Sequence, residues 1–380
     1  MEVKEKRPVV SRIGIARIFT IFFVCCFFSL NSFGTNISVW PHEIKFNFDG
    51  SSYSNDAITI RNASGGTATV PEWAYNNGSP VTEKFAYIMG QSNRSIQVRF
   101  NSNCSSMHLI INLTVTSGTG IGTVCNYFVA NYTALDWITL TLSGNIPGSV
   151  GTRNFTWQWS VYAIPNDAAY CSATSTNNTS HSYYTLLAAP QAPMAEPWCN
   201  VLDYACQWAN GSTTENQVCT NILSNGFDQH YTWNYQCHML ASDFVRLVST
   251  LGINAYLHRW ASKNPYYASV GQMVQQMTIV FDPVGPTHGN KAIPWSWHQW
   301  AEAASYQRDP SANKSVAGNW GAYEDYVFAQ YEKVLPQSPY YQWDNNQVGQ
   351  SAGCEAPENR DYYSYPGETW ILTSWLGPSR

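Results

Sequence analysis

Apolar and polar residues alternate along the first half of the chain. "DAITIRNA", "RSIQVRF", "MHLIINLTVTSG", "DWITLTLSG" and "FTWQWSVYAI" are short and rich in β-branched and aromatic residues. Gly, Asn, Ser or Pro separates them. A period of two with such breaks predicts an antiparallel, Ig-like β-sandwich over residues 36–165. The polar run "IPNDAAYCSATSTNNTSHSYY" and the proline-bearing "AAPQAPMAEPW" then read as a linker, placed at 166–185. A second domain follows over 186–380.

Past the linker the period changes. Trp198, Val201, Leu202, Ala205 and Trp208 recur at helical spacing, with Gly211 near the end. Ser212 and Glu215 have capping-box spacing ahead of Val218 and Ile222, and Gly226 marks a stop. A third helix is predicted from about Cys237 to Leu251, with Leu240, Phe244, Leu247, Val248 and Leu251 on one stripe and Gly252 closing it. Three strand-like runs come next, at 253–260, 275–281 and 293–303, and the aromatic stretch 340–380 returns a further strand. Helices first and a sheet second is the α+β order.

Charge narrows the partners. Residues 1–34 hold five basic and two acidic residues, so without them the chain has 15 basic and 23 acidic residues, a net charge of −8. That balance argues against nucleic acid, which requires a basic surface. The basic residues up to Arg17 precede "IFTIFFVCCFFSL" and then "NSFGTN", the plan of a signal peptide over 1–34. The apolar run is short for a membrane span. A secreted, periplasmic or extracellular protein is expected, with no membrane span after signal removal; an uncleaved N-terminal anchor is the alternative. Eight cysteines remain outside the leader, an even number that suggests disulfides, and Cys104 with Cys125 could staple the two sheets. No zinc-type spacing occurs, and neither a metal nor another cofactor is expected. Sequons recur, among them Asn112, Asn154, Asn177 and Asn178.

The candidate chemistry lies in the second half. "IPWSWHQWAEA" sets His298 between Trp297 and Trp300. A histidine alone in such a setting is usually a packed core residue. Two other residues change that reading. Cys237 falls at the start of the third helix, where unpaired N–H groups and the helix dipole favour thiolate, the nucleophilic form. Asp309, in "YQRDPSAN", follows closely enough to sit on the neighbouring strand of a tight hairpin and orient the imidazole. The opposing reading is that all eight cysteines pair, Cys237 included.

Helix-starting Cys, "LASDFVRLVSTLGINAYLHRW", a strand His in "HQWAEA" and the "RDPS" step together resemble the transglutaminase-like superfamily, over roughly residues 195–330. The "LGI-x-A" step after the Cys helix is the most specific match. The resemblance implies a papain-related α+β domain, with Cys237 as nucleophile, His298 as base and Asp309 as orienting acid. The interval from His298 to Asp309 is shorter than the family's, and Glu324 and Asp325 are fallback carboxylates. An enzyme of this kind attacks a peptide bond or glutamine carboxamide, passes through a thioester and releases it to water or an amine. The Cys237 N–H would serve the oxyanion, with Gln236, Trp233, Tyr235 and Trp300 as candidate oxyanion or substrate contacts. The alternative is an inactive scaffold of the same fold, acting as an extracellular binding or adhesion module. Such a module would hold carbohydrate on aromatic platforms, or another extracellular polymer through the β-domain.

Overall fold

The computed structural model describes residues 34–49, 55–61, 70–76, 79–227, 237–261, 277–281, 291–295, 297–311, 313–318 and 358–360. For Cys237 and His298 it fixes the backbone alone. The first half forms β1 (Thr35–Asn36), β2 (Val39–Lys45), β3 (Trp73–Asn76), β4 (Ser79–Thr82), β5 (Phe85–Ile88), β6 (Ser95–Ser102), β7 (Ser106–Gly118), β8 (Val124–Thr133), β9 (Ile138–Thr141), β10 (Gly151–Pro165), β11 (Tyr170–Cys171) and β12 (Ala173–Leu186). Helices α1 (Cys199–Trp208), α2 (Glu215–Gly226) and α3 (Cys237–Thr250) follow. Then come β13 (Ala255–Ala261), β14 (Met277–Phe281), β15 (Lys291–Trp295), β16 (Trp297–Ala303), β17 (Tyr306–Asp309), β18 (Lys314–Ala317) and β19 (Glu358–Arg360). The described chain is thus mixed α+β, with strands predominating over three helices.

Two five-stranded sheets, ordered β4-β3-β2-β6-β9 and β5-β12-β10-β7-β8, enclose one core. The alternation in β10 explains it. Phe155, Trp157, Trp159, Val161 and Ala163 point inward and are buried, while the residues between them are half-buried or exposed. The inner faces of β2 and β6 supply Ile44, Val98 and Phe100 opposite them. Trp157 and Trp159 have no exposed surface, and removing either ring would cost about 3–5 kcal/mol.

Three expectations need correction here. The stretch assigned to a linker contains β12, which pairs antiparallel with β10 from Gly151↔Thr185 to Ala163↔Ala173. Its inward positions include Thr179 and His181, so no apolar alternation marks it as a strand. The division between the halves falls instead in the segment between β12 and α1. The sandwich is also not wholly antiparallel: β5 joins β12 in parallel, Phe85 beside Tyr183, and β1 joins β11 in parallel. Finally, Cys104 and Cys125 do not staple the sheets. Cys104 is buried and donates to Ser106 O, whereas Cys125 is exposed on β8 near the level of Leu113. The seven residues of β7 between those levels span about 23 Å, far beyond disulfide reach. Cys199, Cys206 and Cys219 are likewise free thiols. Cys354 and the Cys237 side chain lie outside the described residues.

A second core joins α1, α2 and α3 to Leu257, Ala301 and Ala303, and also to Ile58, Ala86, Tyr184 and Leu186 of the sandwich. The helix predicted from Ser212 begins later. Thr214 is the N-cap, accepting from Gln217 N, and Gln217 reaches back to Thr213 N. Ser212 is instead buried and accepts from Asn221. The run predicted at 293–303 forms β15 and β16, and the strand expected within 340–380 appears as β19, paired with β13.

Candidate active site

Helix α3 starts at Cys237, as its spacing predicts. It is enclosed on all sides: Leu240, Phe244 and Val248 are buried, and so are Ser242, Asp243 and Arg246. Asp243 and Arg246 meet at 3.1 Å one turn apart, so the helix carries its own buried charge pair. A tight return at 251–254, with Gly252 at φ +95°, sends β13 back along the helix. Ala188 backbone atoms stand 2.5 Å from where a Cβ on Gly252 would lie, so the return requires glycine. Fourteen helical residues and seven extended ones both cover about 20 Å. The helix and β13 therefore match in length, and α3 packs against β13 and β16.

The sheet on which α3 packs holds the other two residues. The sheet order is β18-β17-β16-β13-β19, antiparallel throughout. His298 pairs with Trp260 and Trp297 with Ala261, so His298 is near the end of β13 away from the Gly252 return. β16 turns into β17 through Ala304 and Ser305, with Ala303 opposite Tyr306. Both turn residues have positive φ, 53° and 63°, the conformation of a two-residue hairpin turn whose twist matches the strands. Carrying the register of Ala301↔Arg308 one step further sets Asp309 opposite Trp300 and diagonal to His298. Diagonal neighbours stand about 7 Å apart, within reach of a carboxylate and an imidazole.

The two faces of this sheet differ. Ala301, Ala303 and Leu257 pack against the helices. Arg308 shares their face, bonding Thr220 and Asn216 of α2 and Ser315 of β18. The opposite face carries Trp300 and Glu302 with their cross-strand partners His258 and Gln307. It is held by hydrogen bonds. Trp300 Nε1 donates to Gln307 Oε1 at 2.7 Å, and Gln307 Nε2 donates to Gly318 O. His258 stacks on Trp300, and its ring Nε2 lies 2.8 Å from Glu302 Oε2. Burial lowers the His258 pKa and outweighs the Glu302 carboxylate, which raises it; the ring is thus neutral near pH 7 and Nε2–H donates. Asp309 is fully buried, and its Oδ1 accepts from both the backbone N–H and the hydroxyl of Ser311.

Helix α3, which begins at Cys237, packs against β13 and β16, and the strand register sets Asp309 diagonal to His298. The side chains of Cys237 and His298 lie outside the described residues, as do Trp233, Tyr235, Gln236, Glu324 and Asp325. The Trp300 side chain is buried, and its indole N–H is committed to Gln307. Sequence reasoning missed Gln307 and Ser311. The serine has a local signal, since a hydroxyl two residues after an aspartate is a common partner for it. No cluster of metal-ligating side chains occurs among the described residues. No helix among them is long and apolar enough to cross a membrane. Neither any protein-family model nor any curated protein matches the chain.

Proposed function

We propose that the chain is an exported cysteine enzyme of the transglutaminase-like kind, acting on an amide through a thioester, behind an Ig-like sandwich. One observation supports this reading: α3 begins at Cys237 and packs on the sheet whose strand β16 carries His298, with Asp309 on the next strand. The proposed contact between Cys237 and His298 is made past the sheet's end rather than through the core. In the proposed reaction the Cys237 thiolate attacks the amide carbonyl, and backbone N–H groups at the helix start stabilise the oxyanion. The C–N bond breaks as His298 protonates the leaving amine. Water or an amine then attacks the thioester, His298 takes its proton, and the thiol is regenerated. Asp309, fixed by Ser311, orients the imidazole.

Incubation with a glutamine-containing peptide and hydroxylamine tests this directly. The expected result is hydroxamate formation that Cys237→Ala abolishes and Asp309→Asn lowers by 10-fold or more. Undiminished product in Cys237→Ala would sink the proposal.

A further inference from the structure

The outward face of the β5-β12-β10-β7-β8 sheet lies outside this chemistry. Strands β7, β8, β10 and β12 contain one Asp, Glu, Lys or Arg residue between them, Arg153. Arg153 pairs with the inward-facing Tyr183 and donates to Ser149. Protein surfaces are ordinarily about a quarter or more charged, so a sheet face without charge is unusual. What it presents instead is ordered in rows across the strands. Asn112, Ser160 and Thr176 form one row, Thr114, Gln158 and Asn178 the next, and Thr156 with Ser180 another. Asn154 and Ser182 follow, joined by a 2.6 Å hydrogen bond. At one end lies a row of a different kind: Phe128, Ile110 and Tyr162, with Phe128 58% and Tyr162 39% exposed. His108 stacks on Phe128 at 6.0 Å, holding that ring flat. At the other end a cavity of about 430 Å³ opens among Ser117, Asn154, Thr156, Ser180 and Ser182, closed on one side by Thr82–Lys84. Tyr162 and Thr156 are six residues apart on β10, about 20 Å.

We propose that this face binds a neutral polysaccharide, stacked on the Phe128–Tyr162 row and hydrogen-bonded along the hydroxyl and amide rows into the cavity. The chemistry selects the occupant. A polyanion needs cations, and the lysine at the cavity, Lys84, is engaged by Asp203. A protein partner or second copy needs a broad apolar centre, whereas the exposed apolar side chains here, Phe128, Tyr162 and Ile164, are gathered at one end. A neutral sugar chain has apolar C–H faces for the rings and many neutral hydroxyls for the rows. The site is independent of Cys237.

Affinity electrophoresis of the full chain tests it, using protein from a bacterial host so that Asn112, Asn154 and Asn178 stay unmodified. The probes are soluble mannan, xyloglucan and mixed-linkage glucan, with heparin as the anionic control. At least one neutral glycan should retard the wild type, with little change in 1 M salt. F128A/Y162A should weaken that retardation at least about 10-fold while keeping the wild-type unfolding midpoint. Gln158→Ala, which leaves both rings in place, should weaken it less. Retardation by heparin alone, retardation unchanged in F128A/Y162A, or none with any neutral glycan would each overturn the proposal. Concentration-dependent dimers lost in F128A/Y162A would instead make the face a contact between copies.

Discussion

Two buried ionisable side chains sit around Phe46. Glu72 accepts from the N–H groups of Phe46 and Asn47, and burial pushes its pKa up from 4.5 to about 7. His181 packs edge-on against the Phe46 ring and hydrogen-bonds Thr179, and burial drops its pKa from 6.5 to about 3. Their effects on stability have opposite signs. Between pH 4.5 and 6.5 the folded state holds a proton on Glu72 that the unfolded chain lacks, so this term makes stability fall as pH rises. Over the same range the unfolded chain holds a proton on His181 that the folded state lacks, so that term makes stability rise. Each is worth about 1.4 kcal/mol per pH unit, and the two cancel. Glu72→Gln should therefore add a positive slope of about that size to the wild-type profile between pH 4.5 and 6.5. His181→Gln should add a negative one. Urea unfolding at pH 4.5, 5.5 and 6.5 reads both, and parallel profiles in all three proteins would refute the assignment. Neither residue was legible in the sequence. A titratable group in a strand looks solvent-facing until the register shows which way it points.

At the scale of elements, legibility followed the strength of the hydrophobic pattern. The stripe of Leu240, Phe244 and Val248 was sufficient to locate α3 and to start it at Cys237. β12 lacked such a pattern because Thr179 and His181 fill its inward positions, and its outward ones are Ser, Thr and Asn. The cap of α2 was misplaced by two residues because Ser212 and Thr214 both precede the apolar run; Thr214 accepts from a backbone N–H of the helix, whereas Ser212 accepts from the Asn221 side chain. The β16–β17 hairpin was expected from the short interval between His298 and Asp309, but its turn residues gave no signal. Ala304 and Ser305 both adopt left-handed φ without glycine or asparagine. Replacing them with Asn and Gly should stabilise the protein by about 1–2 kcal/mol, seen as a higher denaturant midpoint with an unchanged slope. A loss of stability would mean that the side chains of Ala304 and Ser305 matter more than the backbone strain.

The whole molecule is built as two cores that share one sheet. Tyr184, from a sandwich strand, lies in the helical core and donates to Asp203 of α1 at 2.7 Å. Lys84 engages the same carboxylate, and Arg61 pairs with Glu196. Helical circular dichroism and tryptophan fluorescence should accordingly report a single unfolding transition, and Tyr184→Phe should lower it by about 1 kcal/mol. Two separate transitions would contradict a shared core. The central proposal is that Cys237, His298 and Asp309 meet at the β18-β17-β16-β13-β19 sheet. Native alkylation read by peptide mass spectrometry tests it most directly, with internal standards in the same chain. Exposed Cys125 should label without unfolding, whereas buried Cys206 and Cys219, whose thiol pKa values burial raises, should not. The account predicts that Cys237 labels rapidly near pH 6 and that His298→Ala slows it at least 10-fold at that pH. Cys237 recovered in a disulfide-linked peptide, or labelling indifferent to His298→Ala, would contradict it.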